Sequence, residues 1–234
     1  MRLLLGSGGF RTPERIELLR EYLRAHFGAA RRVLFIPYAL QDHDRYLAMI
    51  AERGLHAGYA LDGIHREADP RAAVLGAEAI YVGGGNTFRL LDSLYRFDLL
   101  DVIRTRVRAG IPYAGISAGT NVACPTIKTT NDMPIVQPPS FDALGLVPFQ
   151  INPHYYTGSN WVKEGDTFRE HFSETRDDRI REFHEMNDTA VIGLWEGGIL
   201  RWDEGQLSLH GARARIFRKG EPPLDVAPGS LSIP

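Results

Sequence analysis

Short apolar runs alternate with stretches whose apolar residues recur at helical spacing, and this rhythm fills the first half of the chain. Arg2–Leu5 reads as a buried strand ending in the turn Gly6-Ser7-Gly8-Gly9. Ile16, Leu19, Leu23 and Phe27 then place a helix over Glu14–Phe27. Val33–Ile36 is a second strand, closed by Pro37, and a helix follows over about His43–Glu52. Tyr59–Ile64 predicts a third strand, and Asp69-Pro70 a helix start with proline at its first position. Ala79–Val82 is a fourth strand ending in Gly83-Gly84-Gly85-Asn86. Helical spacing covers about Thr87–Tyr95 and Leu99–Arg108, and a strand over 111–116 runs straight into Ser117. Strand and helix in alternation, with strands apolar on both faces, imply an α/β fold whose parallel sheet is covered by helices. Ligands of such sheets bind beyond the carboxyl ends of the strands. The turns at 6–9, 83–86 and 115–119 all occupy that edge.

The rhythm loosens past residue 124. Residues 124–150 hold five prolines and read as loop. A helix is expected over about Glu174–Glu185 and a strand over Ala190–Leu194. Ile199–Trp202, Gln206–Leu209 and Arg213–Phe217 read as short antiparallel strands with turns at Asp203-Glu204-Gly205 and Gly211. The Pro-rich tail after Glu221 reads as a surface strap. With 234 residues, 44% of them hydrophobic, the chain accommodates one domain spanning 1–234.

Charge excludes some partners. Lys and Arg total 27 against 29 Asp and Glu, a formal net charge of −2, and no long basic run exists; Arg31-Arg32 is too short to track a phosphate backbone. Neither a nucleic-acid nor a membrane surface is expected. The single cysteine, Cys124, rules out an internal disulfide and favours a reducing compartment. The apolar run Met1–Leu5 is too short for a signal-peptide core or a bilayer span, so a cytoplasmic protein is expected.

Gly115-Ile116-Ser117-Ala118-Gly119 is a G-x-S-x-G placed where a strand ends and a helix should start. In that context it reads as a nucleophile elbow, which lifts a serine hydroxyl from the sheet edge on a turn too tight for side chains at the flanking glycines. The plain alternative is a turn whose serine merely caps a helix. A serine nucleophile needs a base, and the base an orienting acid. His154 follows an apolar stretch and Asn152-Pro153, which places it in a loop at an element's end; the other histidines fall on helical patterns, exposed turns or strand ends. Glu196 in GLWEGG and Asp132 in TTNDMP compete as the acid, and chemistry alone does not choose between them. The 83–86 turn lacks G-x-G-x-x-G spacing and G-K-[ST], so a phosphate cradle is weakly supported. A backbone N–H from it serves better as an oxyanion donor, with Asn86 a candidate substrate contact. No H-E-x-x-H and no cysteine pair suggests a metal site, and no cofactor is expected. Cys124 reads as packing rather than nucleophile.

VGGGNTFRLL (82–91), GISAGTNVACPTIKTTNDMPIV (115–136), FDALGLVPFQINPHYY (141–156) and GLWEGG (193–198) together resemble peptidase E, the aspartyl dipeptidase family S51 of serine peptidases. FIPYA (35–39) and GIHREADP (63–70) add to the likeness. The resemblance implies a three-layer α/β fold similar to class I glutamine amidotransferases. It implies hydrolysis of dipeptides with an N-terminal aspartate, and no cofactor. By motif, Ser117 matches the nucleophile, His154 the base and Glu196 the proposed third triad member. Asp132 matches an aspartate also assigned to the charge relay, and Gly85 and Ala118 match the oxyanion hole. Among Arg176, Arg179 and Arg181, the resemblance points to Arg176 as reader of the substrate aspartate, while Arg179 and Arg181 are expected to pair with Asp177, Asp178, Glu182 or Glu185. Two stretches depart from the family: GSGGFRTPE (6–14) is shorter and richer in glycine, and YYTGSNWVKEGDTF (155–168) differs. The expected partner is a small peptide substrate, and a homodimer is left open. Rival readings are a cyanophycinase-like hydrolase of β-aspartyl links, a serine esterase, and a non-catalytic binder of small molecules.

Overall fold

The computed structural model describes residues 1–158 and 160–234; Ser159, inside the unusual 155–168 stretch, lies outside the described residues. The first half forms β1 (Arg2–Gly6), α1 (Pro13–Phe27), β2 (Val33–Ile36), α2 (His43–Glu52), β3 (Leu61–Gly63), α3 (Pro70–Gly76), β4 (Ala79–Val82), α4 (Thr87–Arg96), α5 (Leu100–Arg108) and β5 (Tyr113–Ile116). One turn of helix, α6 (Ala118–Asn121), follows Ser117. The second half adds β6 (Gln150–Tyr155), β7 (Asn160–Glu164), β8 (Thr167–His171), α7 (Arg176–Met186), β9 (Val191–Trp195), β10 (Ile199–Asp203), β11 (Gln206–His210), β12 (Ala214–Phe217), β13 (Leu224–Val226) and β14 (Gly229–Leu231).

The main sheet has eight strands in the order β14-β11-β10-β1-β5-β4-β2-β3. The five strands from β1 to β3 in that order run parallel. β10, β11 and β14 extend the β1 edge antiparallel. A second sheet, β13-β12-β9-β6, pairs β6 and β9 in parallel and the rest antiparallel. β7 and β8 form a separate hairpin.

The two-residue period of the central strands feeds two cores. Leu3, Leu5, Leu34, Ile36, Ile80 and Val82 point to the side covered by Leu90 and Leu94 of α4 and Ile103 and Val107 of α5. Leu4, Val33, Phe35 and Tyr81 point to the side covered by Leu19 and Leu23 of α1 and Tyr46 and Ile50 of α2. Each such side chain contributes about 1.5–3 kcal/mol by leaving water, which makes this three-layer packing the frame that fixes the sheet edge.

Several boundaries differ from expectation. Residues 124–149 form no helix or strand, as expected, apart from a bridge between Thr126 and Asp142. The tail is not a plain strap: β13 and β14 close the edges of the two sheets. The helix after Ser117 shrinks to one turn. His154 lies inside strand β6 rather than in a loop. Among the described residues, no helix is long and apolar enough to cross a membrane.

Candidate active site

Parallel pairing sets the site. β1 runs beside β5 with Gly6 opposite Ile116, and β4 beside β5 with Val82 opposite Gly115. The turns after these three strands therefore converge at one edge. The Ser117 amide donates to Gly6 O at 2.9 Å, and Thr120 Oγ1 donates to Gly6 O and Gly115 O at 2.8 Å. Ser117 holds φ 55° and ψ −107°, a backbone that L-residues rarely adopt and that persists only where surrounding structure imposes it. The flanking glycines are the reason it fits. A Cβ on Gly115 would lie 2.3 Å from Gly119 O, and one on Gly119 would lie 2.3 Å from Val82 O.

His154 meets this serine from the second sheet. The register of β6 against β9 slips between Pro153 and Tyr155, so His154 is the unpaired residue of a bulge, with φ 56°. Bulges re-aim a side chain, and here the ring reaches Ser117: Nε2 lies 2.8 Å from Ser117 Oγ. On the other ring nitrogen, Nδ1 lies 3.3 Å from Glu196 Oε1. A proton on Nδ1, facing the carboxylate, leaves Nε2 free to accept from the serine hydroxyl.

The peptide group that leads into His154 is pinned on both sides. Asn131 Nδ2 donates to Pro153 O at 2.8 Å, and Asn152 Nδ2 donates to Asn131 Oδ1 at 2.9 Å. The His154 amide donates to Ser7 Oγ at 2.8 Å, while the fully buried Ser7 hydroxyl donates to Leu194 O at 2.8 Å. Ser7 is the residue that sequence reasoning missed, because in Gly6-Ser7-Gly8-Gly9 it reads as turn filler; its place after β1, on the candidate edge, was the available signal. The glycine-rich departure at 6–14 also finds its reason here. A Cβ on Gly8 would lie 2.4 Å from His154 Cε1, so only glycine lets this turn pass beneath the ring.

Glu196 sits one residue past β9. Its turn is stitched to the first one: Ser7 N donates to Gly198 O at 2.9 Å, and Gly197 N to Gly8 O at 2.8 Å. Arg15 Nη1 of α1 lies 3.9 Å from Glu196 Oε2. Asp132 lies elsewhere. Its Oδ2 accepts from Thr87 N at 2.8 Å, Thr87 Oγ1 at 2.6 Å and Thr130 Oγ1 at 3.1 Å, which caps α4.

Asn86 caps the same helix. Its Oδ1 accepts from Arg89 N at 3.0 Å and its Nδ2 donates to Met133 O at 2.9 Å, so both ends of the amide expected to touch substrate are engaged in the loop. Among the described residues, the amides of Gly85 and Ala118 have no hydrogen-bond acceptor. Cys124 is buried, donates to Thr120 O, and burial pushes its thiol up to about 12, far from a thiolate.

Arg176 opens α7 beside a capping box between Thr175 and Asp178. Its guanidinium lies 5.5 Å from the Tyr156 ring centroid, and its buried Nε has no hydrogen-bond partner among the described residues. Partial burial draws its pKa below the usual arginine value. Together with Tyr156, Ser173, Glu174 and Arg179 it lines a cavity of about 390 Å³. Arg181 pairs with Asp178 at 2.6 Å as expected, whereas Arg179 pairs with Glu174 at 3.2 Å rather than along the helix.

Comparison with known proteins finds similar sequences and similar folds. The chain is 50% identical over 203 residues to peptidase E of Streptomyces coelicolor, covering 86% of this chain and 81% of that one. It is 44% identical over 230 residues to a probable alpha-aspartyl dipeptidase of Drosophila melanogaster, covering 97% and 93%. A putative peptidase E protein from Listeria monocytogenes EGD-e has a similar fold, with a TM-score of 0.65 at 24% identity over 90% of this chain and 98% of that one. A peptidase from an acI-B1 actinobacterium gives 0.68 at 19% over 99% and 96%. The model of peptidase family S51 matches residues 2–210, and the chain belongs to that family.

Proposed function

We propose that the chain hydrolyses dipeptides with an N-terminal aspartate, through an aspartyl-enzyme on Ser117. The observation that carries this is the 2.8 Å approach of His154 Nε2 to a serine held at positive φ on a strand-end turn. The similarity to peptidase E and to an alpha-aspartyl dipeptidase supports the choice of substrate.

In this reading, His154 takes the Ser117 proton as the oxygen attacks the Asp-X carbonyl carbon. Glu196 holds the imidazole in the required tautomer and stabilises the imidazolium. The free amides of Gly85 and Ala118 receive the oxyanion; losing one such donor typically costs about 3–4 kcal/mol of transition-state stabilisation. His154 then protonates the leaving amine, and water, deprotonated by the same imidazole, releases aspartate. Asp132 and Asn86 act one step back, tying the 130–133 loop to the N-terminus of α4 beside Gly85. Arg176 meets the substrate side-chain carboxylate, for which a planar guanidinium offers two parallel charge-assisted bonds.

The rival esterase of α/β-hydrolase type orders its triad Ser…acid…His, and Glu196 after His154 breaks that order. Incubation with Asp-Leu, β-Asp-Arg and p-nitrophenyl acetate separates the readings. Rapid release from Asp-Leu alone supports the proposal, and turnover of β-Asp-Arg in preference overturns it for the cyanophycinase-like one. We further propose a cytoplasmic homodimer. The buried single cysteine supports the compartment, and the exposed Trp161, Phe168 and Phe172 on and beside the β7–β8 hairpin support the assembly, since an isolated hairpin is marginal in water. Light scattering on the purified chain gives the mass.

A further inference from the structure

Beside the serine, on the face covered by α1 and α2, lies a cavity of about 220 Å³ that the mechanism above leaves unused. Phe10, Tyr46, Met49 and Ile116 give it apolar walls, and Arg11 and Arg53 line it as well. None of its lining residues is acidic. Both arginines are exposed, and neither has an ion-pair partner among the described residues. The cavity borders the reacting groups through two glycines in its wall. Gly8 packs on the His154 ring, and a Cβ on Gly84 would lie 3.7 Å from Ser117 Oγ.

We propose that this cavity receives the leaving residue of the dipeptide, and that Arg11 and Arg53 bind its free α-carboxylate. The inference rests on the peptidase reading and adds what that reading lacks, a reason for stopping at dipeptides. The leaving residue of a dipeptide joins a side chain and a carboxylate at one carbon, and apolar walls beside two unpaired guanidiniums complement both. In a longer peptide the same position holds a neutral amide, which forfeits the charge-assisted bonds. The volume is below the roughly 300–1,000 Å³ of drug-sized sites, which suits one residue and not a longer segment. The cavity shares no lining residue with the one at Arg176, so the two carboxylates of an Asp-X substrate have separate cationic partners.

The test compares kcat/KM for Asp-Leu and Asp-Leu-amide in the wild type, Arg11→Ala, Arg53→Ala and the double variant, with Asp-p-nitroanilide as a substrate that lacks the carboxylate. The wild type is expected to prefer Asp-Leu over its amide by roughly tenfold or more, the factor that about 1.4 kcal/mol supplies. In the double variant that preference falls to near unity, through a higher KM for Asp-Leu. A preference that survives both substitutions overturns the proposal. So does an equal loss on all three substrates, which share only the first residue and would make these arginines its readers. A wild type inactive on every aspartyl substrate overturns the peptidase reading and this subsite together, a pattern distinct from an active enzyme with an unmoved preference.

Discussion

At the scale of single residues, two backbones in rare conformations face each other: Ser117 at φ 55° and His154 at φ 56°. Each costs about 1–3 kcal/mol, and each is held by hydrogen bonds from neighbouring turns rather than by its own element. The two candidate acids separate cleanly by their partners. Glu196→Gln keeps the shape and removes the charge beside His154 Nδ1, so kcat for Asp-Leu should fall by about 10²–10⁴-fold. Asp132→Asn still accepts from Thr87, so turnover should stay within a few-fold while stability drops by about 1 kcal/mol. Steady-state rates with thermal melts check both; an inert Glu196→Gln beside a crippled Asp132→Asn would reverse the assignment. Ser117, His154 and Glu196 were legible in sequence as candidates, Ser117 and Glu196 because each directly follows an apolar strand on the candidate edge. Neither the choice between Glu196 and Asp132 nor the role of Ser7 was. Both depend on contacts between turns far apart in the chain.

At the scale of elements, β6 explains why His154 looked like a loop residue. Asn152-Pro153 is a turn signal, and proline cannot donate to a ladder. β6 is an edge strand of the second sheet, where a missing donor is tolerated, and the bulge follows at once. The β7–β8 hairpin went unread although Glu164-Gly165-Asp166 sits between two alternating runs. β13 and β14 are three-residue strands among prolines and glycines, too short for periodicity to reveal. The clamp on β6 is testable through Ser7. Ser7→Ala removes the acceptor for the His154 amide and the donor to Leu194, so the bulge loosens. We expect kcat for Asp-Leu to fall by roughly 10²-fold, the scale of an ångström of misplacement, with KM little changed. An unaltered kcat would mean that the Asn131 contacts alone hold His154.

At the scale of the whole molecule, the alternation of strands and helices was read correctly because local period and parallel topology demand the same thing. The split of the later strands into two sheets was not, since strand length and spacing do not say which sheet a strand joins. Strand β5 is braced by a buried titratable group. His26, in the last turn of α1, has Nε2 3.0 Å from Tyr113 O, and burial together with the nearby Arg2 charge lowers its pKa to about 4. Its unfolded value is about 6.5, so the unfolded chain takes the proton first. The resulting stability is full above about pH 6.5, declines as pH falls, and is spent below about pH 4, for a total of about 3 kcal/mol. His26→Gln should melt with a visibly shallower dependence across that window than the wild type, and parallel curves would refute the role.

The claim on which the rest depends is that Ser117 carries the acyl group. Its most direct measurement is the rate of Asp-Leu hydrolysis by the wild type and by Ser117→Ala, with circular dichroism confirming the fold. Alanine fits the elbow, so the variant should fold normally and lose at least about 10⁴-fold in kcat. Hydrolysis near the wild-type rate by a folded Ser117→Ala would contradict the account.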